Sequence, residues 1–223
     1  MASFDKVIAA PTGAALSTNK LIRNTYTLLS VTLLFSALMA GLSMLLRVPV
    51  GVSIFCSIGA IVLLWFVLPR FQNSAAGLGV VFAFTGLLGF GLGPIISLYL
   101  QLPKGPEIVT MAFGGTGVIF LGLSGYAMTS RKDFSFIGGF LGAGILVAFV
   151  AGIGAAIFGL SGLSLAVSAM FVLLMSGLIL FETSRLVNGQ ETNYILATVS
   201  LYVAIYNLFT SLLHLLGAFS GED

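Results

Sequence analysis

Residues 134–187 decide the fold of this chain: FSFIGGFLGAGILVAFVAGIGAAIFGLSGLSLAVSAMFVLLMSGLILFETSRLV. The stretch is 54 residues long and carries no charged side chain before Glu182. A helix needs about 20 apolar residues to cross the roughly 30 Å of hydrocarbon in a bilayer. The stretch is therefore two crossings, and the turn-forming segment 159–162 is the break between them, although no charge marks it.

Composition places the rest of the chain in the membrane as well. Of the 223 residues, 58% are hydrophobic and 7% are charged, with a formal net charge of +2. So few charges cannot cover a water-soluble globule, which excludes a soluble enzyme, a disordered regulator and a nucleic-acid binder. One cysteine and one histidine exclude a disulfide scaffold and a zinc site built from protein ligands alone. We therefore predict no metal, no cofactor and no nucleic-acid partner.

Seven apolar stretches of membrane-crossing length follow one another and predict an all-α membrane protein with seven transmembrane helices. Short segments with Pro, Gly and charged residues separate them. The transmembrane domain covers residues 24–219, between a flexible N-terminal tail of residues 1–23 and an acidic tail of residues 220–223. The predicted spans are 24–46, 50–68, 75–100, 107–129, 134–158, 163–187 and 194–219.

The Lys and Arg residues predict the orientation of these spans. Cytoplasmic segments carry an excess of both residue types. With the N-terminus in the cytoplasm, seven of them lie on the cytoplasmic side and two, Arg47 and Lys104, lie outside. We therefore expect a cytoplasmic N-terminus and an outer C-terminus. The first span starts too late and is too long to be a cleavable signal peptide.

Ionisable groups inside a span are costly and are candidate functional residues. Glu182 lies near the predicted cytoplasmic end of the sixth span, three residues before Arg185. One interpretation is a structural ion pair with Arg185 or with Arg70. The other is a functional latch, in which the ion pair holds the helices in one state. The two interpretations do not exclude each other.

The seventh span carries a polar stripe on one helical face. The stripe either makes interhelical hydrogen bonds or has a functional role, and we expect its histidine to satisfy a helix end or to face water. Its members are Ser200, Asn207, Ser211 and His214.

Two enzyme classes can be weighed against these residues. Ser124 and Ser161 each lie in a G-x-S-G pattern, as in rhomboid intramembrane proteases. A serine nucleophile needs a base within hydrogen-bond reach, but Ser124 is predicted at the end of the membrane opposite His214. Ser161 is on the side of His214 but in a surface turn. The spans contain no Asp for an aspartyl protease, and we predict no catalytic residue.

Five segments resemble those of a known membrane-protein family. They are RNTY at 23–26, TSRKDFS at 129–135, FET at 181–183, ETNY at 191–194 and ATVSLY at 197–202. In order and spacing they resemble the Bax inhibitor family of seven-span membrane proteins, most of all its bacterial YccA-like branch. The resemblance runs from about Ser17 to Gly217. It implies a multi-pass protein of the bacterial inner membrane with a periplasmic C-terminus.

The resemblance implies two functions. In the first, the protein binds and modulates the membrane-anchored FtsH AAA protease with its partners HflK and HflC, and is a slow substrate of it. The flexible tail, with Met1, Lys6 and Lys20, would be the segment that the protease grips. This is the first prediction.

The second function is a pH-sensitive leak for calcium ions, in which acids on the sixth and seventh spans share a proton. Glu182 corresponds to the first acid, with Arg185, Arg70 and Asn207 as further candidates for the pH-sensing latch. The second acid would fall at Ala204. Because a lone carboxylate lacks the like-charged neighbour that the mechanism needs, the leak is the alternative prediction.

Overall fold

The computed structural model describes the backbone of residues 12–220 and the side chains from residue 17 onward. This part of the chain is helical throughout and contains no strand. Seven helices are long and apolar enough to cross a membrane, which confirms the predicted fold class. In chain order the spans are Thr12–Leu45; Gly51–Val62 with the π-helical turn Leu63–Val67 and Leu68–Phe71; Ala76–Leu100; Gly105–Ser130; the 3-10 turn Ser135–Ile137 with Gly138–Phe158; Ser161–Val187; and Tyr194–Ser220.

The first helix begins well before its predicted start. It starts at Thr12, so residues 12–23 are helical rather than extended, and this part of the predicted tail is corrected. The good helix formers in this stretch prolong an existing helix, which costs far less than starting a new one. Residues 1–11 lie outside the described residues.

The break between the fifth and sixth spans lies where the sequence predicted it. Gly159 adopts a left-handed conformation with φ +63°, and the Leu160 N–H donates to the Ala155 carbonyl at 3.0 Å. Glycine closes a helix in this conformation without steric cost. The sixth helix then begins at Ser161, so this break needs no charge.

The seventh span lies at the centre of the bundle. It packs against the first, third, fourth and sixth spans. Among the described helices, the second span packs against the third alone, and the fifth packs against the sixth alone. The outer faces of these two peripheral spans expose large apolar side chains, such as Phe55, Trp65, Phe140 and Phe158, as expected for a surface solvated by lipid.

Small residues let the third span approach the first. A Cβ at Gly89 would overlap the Ser36 carbonyl oxygen, and one at Gly93 would overlap the Ala40 carbonyl oxygen. This pair therefore packs as a small-residue helix contact. The other predicted pair behaves differently, because Gly138 lies against the Phe181 ring whereas Gly142 faces open space.

Candidate functional site

The candidate site lies at the end of the bundle that holds connections 131–134 and 188–193, called here the basic end. Glu182 is 5% exposed, and Arg185 Nη1 donates to its Oε2 at 3.4 Å. Arg185 Nη2 donates to Glu191 Oε2 at 3.1 Å. The guanidinium also lies 5.5 Å from the centroid of the Phe181 ring, within cation–π range. Glu182, Arg185 and Glu191 are called the Glu182 cluster.

The turn that ends the sixth helix brings Glu191 back onto Arg185. Gly189 has φ +70°, and the Gln190 N–H donates to the Arg185 carbonyl at 2.9 Å. The Gly189 N–H donates to the Leu186 carbonyl at 3.3 Å. These two bonds form a Schellman motif, which requires a left-handed residue after the helix. The backbone of Gly189 therefore positions the third member of the cluster.

Ser200 of the seventh span lies beside Glu182, close enough for its side chain to interact with the carboxylate. Ala204 lies one turn deeper and is fully buried among apolar side chains such as Ile179. Asn207 is farther still along the span, and its amide donates to the Val203 carbonyl of its own helix at 2.8 Å.

Of the two cations predicted as partners of Glu182, the structure selects Arg185. Arg70 is exposed at the end of the second span and makes no ion pair with any described residue. The reason is geometric: Arg185 is one helical turn from Glu182 on the same helix.

A second group of contacts joins connection 131–134 to the end of the sixth span. The Ser184 hydroxyl donates to the Lys132 carbonyl at 2.9 Å and accepts from the Phe134 N–H at 3.0 Å. Gln190 Nε2 donates to Asp133 Oδ2 at 2.9 Å. The Ser135 N–H donates to Asp133 Oδ1 at 2.8 Å. Mainly this bond, and to a smaller extent the bond from Gln190, holds the pKa of the Asp133 carboxyl below its usual range.

Asn193 begins the seventh helix and ties it to the second-to-third connection. Its Oδ1 accepts from the Ile195 N–H at 2.9 Å, the bond of a helix N-cap. Its Nδ2 donates to the Gln72 carbonyl at 3.0 Å and to Asn73 Oδ1 at 2.9 Å. Sequence reasoning did not select Asn193, although an Asn just before an apolar helix is an N-cap signal.

The first and fourth spans meet the sixth span beside the cluster. Tyr26 Oη and Thr183 Oγ1 share a hydrogen bond of 3.0 Å, and Ser124 Oγ lies 3.4 Å from the same Thr183 oxygen. Polar contacts of the sixth span therefore hold four other elements at the basic end. The arrangement is a network of ion pairs and hydrogen bonds.

The histidine of the polar stripe binds elsewhere than expected. His214 Nδ1 lies 2.8 Å from Ser168 Oγ on the sixth span, whereas the sequence predicted a helix end or water. Ser200 and His214 both meet the sixth span, which supports the interhelical interpretation of the stripe, and Ser211 is buried. The bonded serine is neither Ser124 nor Ser161, so neither G-x-S-G serine is joined to the histidine in the structure.

The residues predicted as the protease grip are only partly described. Met1 and Lys6 lie outside the described residues. Lys20 is exposed on the first helix, so it belongs to regular structure and not to an extended tail.

Comparisons with known proteins agree with the family resemblance. A family model described as inhibitor of apoptosis-promoting Bax1 matches residues 18–221. The chain is 48% identical to the Escherichia coli K12 protein named modulator of FtsH protease YccA, over 93% of this chain and 94% of that protein. The inner membrane protein YccA of Escherichia coli O6:H1 matches to the same extent. A membrane protein of Vibrio cholerae is 47% identical over 93% of each chain.

The localisation follows from these names and from the fold. Close relatives are named inner membrane proteins, and the chain has seven helices able to cross a membrane. The protein is an integral protein of the inner membrane, as predicted. None of the three relatives is named as an enzyme.

Proposed function

Given that this chain belongs to the Bax inhibitor family, we propose that it binds and modulates a membrane-anchored AAA protease of the FtsH type. We further propose that HflK and HflC take part in the complex and that the chain is a slow substrate of the protease. The observation that carries the proposal is the relative named for modulating FtsH, whose similarity extends along nearly the whole chain.

We propose that the basic end is the docking face. Under the positive-inside rule this end faces the cytoplasm, where an ATP-driven protease pulls on its substrates. Arg131, Lys132, Asn188 and Gln190 are exposed there. The hydrogen bonds of Ser184 fix the backbone of connection 131–134, so a partner meets a preformed surface.

The test is purification of the tagged protein from cells in mild detergent, with identification of the proteins that accompany it. We expect FtsH together with HflK and HflC. Recovery of the intact protein without FtsH would overturn the proposal, and recovery of FtsH alone would restrict it to the protease.

A matched pair of variants tests the docking face. Arg47 and Arg131 are both exposed, both follow a helix, and both have φ 50°, but they lie at opposite ends of the bundle. Arg131→Glu should reduce the amount of FtsH recovered, whereas Arg47→Glu should leave it unchanged. Equal recovery with both variants would exclude connection 131–134 from the interface.

A pH-sensitive calcium leak is the second candidate, because Glu182 is a buried acid within a span. We place it second because Arg185 already supplies the opposite charge and Ala204 offers no second carboxylate. Calcium flux into proteoliposomes tests it. The natural protein should match empty liposomes, and Ala204→Asp, but not Ala204→Asn, should acquire a pH-dependent flux. Flux through the natural protein that is lost in Glu182→Gln would reverse this order.

A further inference from the structure

A cavity of about 510 Å³ lies between the first, third, fourth and seventh spans. Its volume falls within the roughly 300–1,000 Å³ of ordinary ligand pockets. Four hydroxyl-bearing side chains line an otherwise apolar wall. Ser36 and Tyr202 bond to each other at 2.6 Å, and Thr116 donates to the Ala112 carbonyl at 2.7 Å. Three of the four hydroxyls therefore already have a hydrogen-bond partner within the protein, and Tyr206 is the fourth. A ligand in the cavity needs to form few hydrogen bonds with this wall.

The depth of the cavity matches one leaflet of a bilayer. Along the first span it extends from Leu33 to Met44, about 16 Å at the 1.5 Å rise of a helix. Half of a hydrocarbon core of about 30 Å is about 15 Å. The cavity begins near the end of the bundle opposite the basic end, called the far end, where Leu100 closes the third span. On the seventh span it extends as far as Tyr202, eight residues from the start of that helix.

The cavity is open toward the lipid. The first and fourth spans both line it; their described backbones stay apart, and the two walls meet near the inner end of the cavity, where the ring centroids of Tyr26 and Phe120 lie 6.1 Å apart. Ala37 and Phe113, on these two walls, are exposed. Gly41 and Gly117 also line it, and a Cβ at either would meet nothing within 4 Å. The small and exposed residues on these two walls therefore leave the cavity open to a lipid chain from the side.

Two cations stand at the far end beside the walls. Arg47 lies three residues beyond Met44, and Lys104 immediately precedes the fourth helix. Glu107 lies in the first turn of that helix, and the acids Glu222 and Asp223 follow the seventh span in the sequence. Basic side chains at this level attract lipid phosphate.

We propose that the cavity binds one acyl chain of a phospholipid from the leaflet at the far end, with the lipid phosphate against Arg47. An acyl chain fits an apolar wall by van der Waals contact, the main source of packing energy inside a membrane. Water would find few of the two to four polar partners that it needs there. The binding site is independent of the proposed protease function.

The test uses proteoliposomes that contain phosphatidylglycerol with a photoreactive diazirine in one acyl chain. Phe209 is 5% exposed and lines the cavity, so a lipid chain reaches it through the cavity. After illumination, mass spectrometry should find the label on Phe209 or Tyr206. Label confined to lipid-facing residues such as Val118 and Leu121 would overturn the proposal.

Two glycines of the fourth span give a matched pair of variants. Gly117→Phe fills the cavity and should abolish the label on the seventh span. Gly114→Phe adds the same ring on an exposed face outside the cavity, where a Cβ also meets nothing within 4 Å, and should retain it. Equal labelling of the two variants would contradict the proposal. If Gly117→Phe fails to fold, Gly41→Phe fills the cavity from the other wall and must give the same loss.

The headgroup contact has its own test. Arg47→Gln should lower the label on the seventh span when phosphatidylglycerol is the probe. Unchanged labelling would overturn the contact with phosphate.

Discussion

From the geometry of the Glu182 cluster we predict that Arg185 contributes more than Glu182 to the free energy of unfolding. In Arg185→Gln, the carboxylates of Glu182 and Glu191 lose their shared cation. The Glu182 side chain is 7% exposed, so its charge has little access to water and keeps only the contact with Ser200. Removing one partner of a buried ion pair costs about 3–5 kcal/mol. Because the Arg185 side chain is 29% exposed, we expect about 3 kcal/mol.

Glu182→Gln should be milder. It leaves Arg185 paired with Glu191 at 3.1 Å and in contact with water, and an amide can still accept the hydrogen bond. The expected loss is about 1 kcal/mol, the net value of one hydrogen bond. The double variant should be more stable than Arg185→Gln alone, since it contains no stranded buried carboxylate.

The measurement is the free energy of unfolding in mixed micelles titrated with sodium dodecyl sulfate. Arg70→Gln is the control, because that arginine is exposed and should change stability by less than about 0.5 kcal/mol. A Glu182→Gln variant as unstable as Arg185→Gln, or a double variant less stable than either, would refute the description of Glu182 as a carboxylate held by Arg185.

Three further predictions concern the rest of the chain. A reporter fused after Asp223 should be periplasmic and one inserted in connection 72–75 cytoplasmic; a cytoplasmic C-terminus would contradict seven full crossings. Deletion of residues 2–11 should leave the protein in the membrane but lengthen its half-life in cells with active FtsH, and an unchanged half-life would show that another segment is gripped. The Asp133 contact stabilises the fold above the ordinary carboxyl pKa of about 4. Because its folded pKa is lowered, this stabilisation disappears as the pH falls through that lower value. In Asp133→Asn the free energy of unfolding should therefore depend less on pH in the acidic range. An unchanged dependence below about pH 4 would contradict this prediction.

Local features of the sequence predicted most of the fold. Span length and hydropathy depend on one segment at a time, and every break carries turn-forming residues, so all seven crossings could be counted. The pair formed by Glu182 and Arg185 was also predictable, because residues three apart share a helical face.

Contacts between segments could not be predicted in the same way. Glu191 joins the cluster only because the left-handed turn at Gly189 reverses the chain, and the sequence between them carries no periodic signal. The bond from His214 to Ser168 depends on the relative rotation of two helices. The sequence did not predict the start of the first helix, because the polar residues before Asn24 interrupt the apolar pattern of a stretch that is helical in the structure.

The central position of the seventh span has a consequence for biosynthesis. The span touches four of the other six, yet it is the last to leave the ribosome. Until it is inserted, the hydroxyl of Ser36, which bonds to Tyr202, and the carboxylate of Glu182, which lies beside Ser200, border an unfilled space in the lipid. The earlier helices can only form a provisional assembly, and the final fold is reached once the seventh span has been inserted. A chain truncated before Tyr194 would keep six crossings but would leave these polar groups open to the membrane interior.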